Sequence, residues 1–280
     1  MKVLPFKIPK PKQDALVFQE DLGFLFYDKL HQHEEIQLSL IVSGEGSLIV
    51  GDTINPYETG DIIIIGSNLP HVFISDEIVE KQSHMLTLFF TKHAFGSHFF
   101  DLVELEELES FFKRAEQGFK ITSNKKQVTD LFYTLKQSTK LEAFIILLQV
   151  LQITAVAPYK SLSSFIYDKR YTDNEGKRIR DVFEYTMTHF NQDISLETIS
   201  EVAVMTKNAF CKYFKKRTNK TYFQFLNELR IEHACKLIIK NNDLSISEIA
   251  YRSGFKNISN FNRQFKSVKG VIPSAHKKRN

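Results

Sequence analysis

The sequence predicts an α+β chain of more than one domain: an N-terminal antiparallel β-barrel or sandwich, a helical connector, and a C-terminal all-α domain built from two helix-turn-helix units. Three observations predict this. Short apolar runs separated by Gly, Asn, Pro and Asp fill residues 14–91, a helical period takes over from about Phe95, and two similar segments recur about 50 residues apart in the last hundred residues. The boundaries expected are 1–100, 101–172 and 173–280.

The first domain reads as strands. "IQLSLIV", "GSLIV", "DIIIIG" and "MLTLFF" are each short enough for a strand and are bounded by turn residues. In "HQHEEIQLSLIVSGEG", His31, His33 and Gln37 share one parity, which on a strand puts them on one face with Ile36, Leu38 and Leu40 on the other. "GDIIIIGSNLPH" then ends in a third histidine, His71.

From about Phe95 to Tyr167 the apolar spacing turns to three and four, notably in "KKQVTDLFYTLKQS" and "LEAFIILLQVLQITAVA". Residues 124–157 are read as an interdomain and dimerisation segment, with Leu141, Ile145, Leu148 and Ile153 at the interface. A helix packed on its own barrel is the competing reading. The run Ala143–Ala157 is too short and too broken by Gln to span a bilayer, and Met1–Lys12 has no apolar core of a signal peptide. A soluble, cytoplasmic protein is expected, with no membrane partner. "YKSLSSFIYDKRYTDNEG", 159–176, is the linker candidate.

Charge divides the chain in the same place. Residues 173–280 hold 20 of the 37 Lys+Arg and 11 of the 33 Asp+Glu, a net of +9, which leaves −5 on residues 1–172. A basic half on an otherwise acidic chain suits one domain meeting a polyanion. Cys211 and Cys235 have no metal-ligand spacing and are read as buried or half-buried thiols.

The repeat carries the chemistry. Leu196, Ile199 and Ser200 correspond to Ile246, Ile249 and Ala250, and Phe210, Phe214 and Lys215 to Phe261, Phe265 and Lys266, with one residue of slip in the turn. Ser245 and Glu248 form a capping box, Gly254 suits a left-handed turn, and Asn257 and Thr206 suit N-caps of the helices that follow. Each copy is thus helix, tight turn, helix. At about 100° per residue, Phe261 and Phe265 face a small core while Ile258, Ser259, Asn262, Arg263 and Lys266 lie opposite, with Asn257 at their start. Arg grips guanine O6 and N7, Asn pairs with adenine, Ser is permissive, and Ile suits a thymine methyl. Lys207, Asn208, Cys211 and Lys212 match them in the first copy, with Lys215, Lys216 and Arg217 following as phosphate contacts. A helix over 222–239, about 27 Å long, would hold the two readers near the ~34 Å that separates successive major-groove faces.

Residues 177–278, above all "ISEIAYRSGFKNISNFNRQFKSVKGVIPSAHKKR", resemble the DNA-binding domain of the AraC/XylS family of bacterial regulators. The resemblance implies a double helix-turn-helix domain that binds double-stranded promoter DNA and contacts RNA polymerase. Asn219 stands where the family often has Gly, and "SAHKKR" replaces a more usual aromatic-Arg ending. The N-terminal motifs resemble those of cupins: His-x-His, then an acid and Gly44, then a Gly-Asp strand and a His. Gln37 stands where metal-binding cupins place Glu, and Gly66 and Asn68 replace the expected Pro and Gly.

His31, His33 and His71, with Gln37, are therefore assigned to binding a small-molecule effector. A divalent metal on the three histidines is possible but not favoured, because neutral Gln37 removes charge compensation; a purely structural role is the third reading. No cofactor is required. The expected protein is a sequence-specific transcriptional regulator, not an enzyme, acting as a homodimer. The alternative is a metal-dependent cupin oxygenase or isomerase with a basic accessory domain.

Overall fold

The computed structural model describes residues 14–76, 82–166, 173–240 and 243–279. It divides into two units, Met1–Gly176 and Lys177–Asn280.

In the first unit two antiparallel sheets face each other. One has the order β1 (Leu16–Gly23), β7 (Ser83–Phe90), β2 (Ile36–Ser43), β5 (Ile62–Ile65), β8 (Phe119–Ile121), β9 (Tyr159–Ser161). The other runs β4 (Thr53–Tyr57), β3 (Gly46–Val50), β6 (His71–Ser75). Strand parity sorts the larger sheet. Ile36, Leu38, Leu40, Ile62 and Ile64 face α1 (Glu109–Ala115), α2 (Lys125–Leu135) and α3 (Lys140–Val156), whereas Ile41, Ile63 and Ile65 pack inward with Leu48, Val50 and Phe73 of the smaller sheet. Burial on both faces is why "DIIIIG" is apolar without alternation.

The helical stretch expected to connect the domains is built into the first unit. Between α1 and α2 it supplies β8, which pairs with β5, and after α3 it supplies β9, which pairs with β8. The expected linker therefore starts later than Tyr159. Leu162 and Ser163 are buried; Asp52 accepts from Ser163 Oγ at 3.0 Å and from the Ser164 amide at 2.9 Å, and Asn55 Nδ2 donates to the Leu162 carbonyl at 3.0 Å. The middle of the expected linker, 167–172, lies outside the described residues, as does the Met1–Lys12 stretch.

The second unit is helical: α4 (Asp173–His189), α5 (Leu196–Val202), α6 (Lys207–Thr218), α7 (Tyr222–Lys240), α8 (Ile246–Arg252), α9 (Ile258–Lys269) and α10 (Pro273–Arg279). Its start signals work as local chemistry requires. Ser245 and Glu248 close a reciprocal capping box on α8; Asn257 Oδ1 accepts from the Ser259 amide at 2.8 Å and the Asn260 amide at 3.2 Å to open α9. Phe183, Phe210, Phe214, Tyr222 and Phe225 form one aromatic core, and Ile231, Ala234, Ile238, Ile249, Phe255, Phe261 and Phe265 a second. Helix α7 runs through both.

Candidate nucleic-acid interface and histidine site

The two helix-turn-helix copies are α5–α6 and α8–α9. In α9, Phe261 and Phe265 are fully buried with rings 5.6 Å apart, while Ile258, Ser259, Asn262, Arg263 and Lys266 are exposed. In α6, Phe210 and Phe214 are buried and Lys207, Asn208, Cys211, Lys212, Lys215 and Lys216 are exposed. Each copy thus spends one turn-spaced pair of rings on its core and leaves a continuous donor-rich face outward.

Three residues depart from the expectation. Arg217 is buried, its guanidinium 5.9 Å from the Tyr213 ring, so it belongs to the packing of α6 and not to a phosphate contact. Asn257 is exposed, but its carbonyl oxygen is committed to capping α9. Cys211 is exposed on the outer face of α6; only Cys235 is buried, and burial pushes its thiol up to about 12. Arg263 Nη2 donates to Asn260 Oδ1 at 2.9 Å, one helical turn back, and Lys207 pairs with Glu197 at 3.1 Å. Both are surface contacts that a stronger acceptor would replace at little cost.

The histidines come together by a route different from strand parity. His31 precedes β2 and forms an isolated bridge with His71, the first residue of β6, through His31 N–H to His71 O at 3.1 Å and His71 N–H to His31 O at 2.9 Å. His33 is in the turn before β2, where its carbonyl accepts from the Asn68 amide at 2.7 Å. Asn68 holds left-handed backbone, φ 56°, so Asn does here what the Gly of the cupin motif would do. Gln37 alone of the set lies within β2.

The rings converge. His31 and His71 centroids are 4.3 Å apart, His33 and His71 5.0 Å, and all three residues are buried. Each Nδ1 meets a main-chain carbonyl at 2.8 Å: His31 that of Lys29, His33 that of Glu35, His71 that of Leu69. A carbonyl only accepts, so the neutral rings carry their proton on Nδ1 and their lone pair on Nε2. The three rings offer one ligand atom each, all within 4.8 Å of one another. Gln37 Oε1 lies 3.1 Å from His33 Nε2, and its Nε2 donates to Ser39 Oγ at 2.9 Å, itself 2.9 Å from Thr87 Oγ1. A lone pair on His33 Nε2 would face the Gln37 oxygen acceptor to acceptor, which is relieved by a half-turn of the amide that aims its NH2 at the ring, by a ring that carries a proton on both nitrogens, or by an ion that both atoms ligate. Three imidazole nitrogens, each on a ring whose other nitrogen meets a main-chain carbonyl, with an amide oxygen beside them, are a donor set that suits a first-row divalent ion. The Glu35 carboxylate lies 3.9 Å from His33 Nδ1.

Four further residues line the site without a motif to announce them. Ser39 and Thr87 share the inward face with Gln37 and are polar positions in apolar strands, which was a usable signal. Tyr27 and Phe89, edge-on to His31 and His33 at 5.0 Å and 5.4 Å, left none. A separate surface hollow lined by Lys92, Phe100, Asp101, Glu106 and Phe112 shares no residue with the histidine site.

A reader with two buried-ring helices and two basic outer faces, joined in one chain to a β-sandwich carrying a histidine triad, defines a DNA-binding protein of the helix-turn-helix class. A helix-turn-helix domain family matches residues 199–279, and a cupin domain family matches residues 27–80. The chain is 23% identical over 265 residues to an uncharacterized HTH-type transcriptional regulator of Bacillus subtilis (strain 168), YdeC, covering 91% of this chain and 87% of that one. It is 32% identical over 100 residues to an uncharacterized HTH-type transcriptional regulator of Staphylococcus aureus (strain COL), covering 36% of this chain but only 13% of that much longer relative. Among solved structures it is similar to ToxT from Vibrio cholerae O395, with 14% identity, 94% and 97% of the two chains covered and a TM-score of 0.37. The C-terminal domain of AraT, a response regulator from Geobacillus stearothermophilus, matches at 27% identity over 37% of this chain and 85% of that one, TM-score 0.35. The chain is a DNA-binding transcriptional regulator with an AraC-type helix-turn-helix domain and an N-terminal cupin domain. No helix among the described residues is long and apolar enough to cross a membrane.

Proposed function

We propose that this regulator reads promoter DNA through both helix-turn-helix copies and that a small ligand at the histidine site of its cupin domain governs the reading. The observation that carries the DNA part is the doubled pattern: two outer faces of Lys, Asn, Ser and Arg stand in corresponding positions over two buried Phe pairs. Arg263, Asn262, Ser259 and Ile258 read base edges in one groove and Asn208, Cys211 and Lys212 in the next, with Lys207, Lys215 and Lys266 on phosphates. Asn257 acts by setting the start of α9.

For the cupin domain, His31, His33, His71 and Gln37 form the binding set. With ring centroids 4.3–5.8 Å apart and one nitrogen of each ring within 4.8 Å of the others, the three rings can share one ion-sized occupant. A divalent metal ion is the ligand this donor set suits. The protein acts in the cytoplasm as a homodimer that contacts RNA polymerase, and its relatives support a regulatory role over a catalytic one.

The test is a titration of zinc, nickel and cobalt into the full-length protein, followed by calorimetry and by the visible spectrum of the cobalt form, beside gel-shift assays. His33→Ala and His71→Ala are expected to abolish metal binding and the metal response of specific DNA affinity while leaving non-specific affinity unchanged, because that affinity belongs to the basic domain. Wild-type protein that takes up none of the three ions would overturn the metal reading of this site.

A further inference from the structure

The two helix-turn-helix copies differ at one point that neither reading face explains. The turn between α8 and α9 is packed against the segment that joins α4 to α5, which belongs to the other copy. A Cβ on Gly254 would lie 2.7 Å from the Phe190 carbonyl oxygen, 2.8 Å from Asn191 Cα and 2.9 Å from Arg230 Nε. Arg230, midway along α7, closes this junction: its Nε donates to the Phe190 carbonyl at 2.7 Å and its Nη2 to the Gln192 carbonyl at 2.8 Å, while its guanidinium lies 5.7 Å from the Phe255 ring. Phe190 meets the His233 ring at 4.9 Å, and Lys256 reaches across to Asp193 at 2.6 Å.

We propose that Arg230 is the positioning residue that fixes the two recognition helices to each other, so that the chain accepts only DNA whose two subsites have one set spacing. The physical case is one of constraint. Helix α7 alone joins the copies by a single rod, free to bend and to let the α4–α5 segment swing. A planar guanidinium that donates to two carbonyls of that segment, from the rod itself, removes those freedoms with a geometry that no other side chain reproduces. Gly254 is required for the close approach, and the exposed Lys256–Asp193 pair adds little by itself. Rigid linkage makes the second contact intramolecular at high effective concentration when the spacing fits, and lost when it does not.

The experiment uses the full-length protein and a duplex enriched by the wild type from a random-sequence library, with its two subsites mapped by footprinting. Affinity is measured for that duplex, for one lengthened between the subsites by about five base pairs, half a turn of B-DNA, and for a duplex holding one subsite. Wild type is expected to lose about tenfold or more on lengthening. Arg230→Met is expected to bind the one-subsite duplex as wild type does, yet to bind the selected duplex more weakly and to lose most of the difference between the two lengths. Arg230→Lys, which keeps the charge but spans only one carbonyl, falls between. Thermal unfolding reports whether each variant is folded; should Arg230→Met not fold, Arg230→Lys decides by the same comparison. A folded variant with the wild-type ratio between the two lengths, or one that loses one-subsite affinity in parallel with the rest, overturns the proposal.

Discussion

Val204 and Gly254 occupy the same turn position in the two helix-turn-helix copies, and both hold left-handed backbone, at φ 51° and φ 84°. Gly254 is packed against Phe190 and Arg230, whereas Val204 is 82% exposed. The second copy is thus confined to Gly by contact, while the first tolerates a β-branched residue only by bearing its strain, about 1–2 kcal/mol. Val204→Asn is expected to stabilise the reader by about 1 kcal/mol, since Asn enters the left-handed region readily and no buried surface is lost. Gly254→Val is expected to unfold the second copy. Urea melts of the two variants check both signs.

Asp61 joins the sandwich to its helical cover. Its buried carboxylate accepts from Lys120 on β8 and Lys125 on α2, each at 2.8 Å. Burial raises the Asp61 carboxyl, but the two ammonium groups outweigh it and hold the group below the ordinary carboxylate range. A depressed folded-state value stabilises at pH above the unfolded value near 3.9 and is lost as pH falls through the folded one. Asp61→Asn is therefore expected to cost about 3 kcal/mol at neutral pH and to flatten the acid limb of the first unit's stability curve, read by circular dichroism.

The outer stripe of α3 is uncharged from Ile145 to Val156. Leu141 and Ile145 are 68% and 48% exposed, while Leu148 and Ile153 are half-buried against the core of the first unit. Leu141→Glu with Ile145→Glu is expected to convert a dimer to a monomer of unchanged melting temperature, measured by sedimentation velocity. Wild type that sediments as a monomer with and without DNA speaks against that interface.

How much was legible in the sequence follows from how local each cause is. The start of α9 is written in Asn257 and the amides two and three residues on, and α7 was bounded to within one residue by its apolar stripe. β8 and β9 were not visible, because each is three residues long and exists only by pairing with β5 and with its partner. Strand parity sorted Ile36, Leu38 and Leu40 from Gln37, but the histidines meet through a bridge between residues 40 positions apart, which no local pattern encodes. Arg217 reads in the sequence as one more surface cation, because its burial beside the Tyr213 ring depends on tertiary packing.

Lys266 is assigned to a phosphate, and salt distinguishes that task from base reading. Lys266→Ala is expected to weaken specific and scrambled duplexes about equally and to reduce the slope of log affinity against log salt by about one counterion. Fluorescence anisotropy across a salt series measures both.

Arg263 carries the central claim, that the polar face of α9 reads bases. The most direct measurement is the ratio of affinities for a selected duplex and a scrambled one, compared between wild type and Arg263→Ala, with Phe261→Ala as a control that lowers the melting temperature by emptying the core of the second copy. The account predicts that Arg263→Ala loses about 1–3 kcal/mol on the selected duplex, relaxes preference at one base pair and leaves scrambled DNA bound as before. A parallel fall in both affinities, with the ratio unchanged, would contradict it.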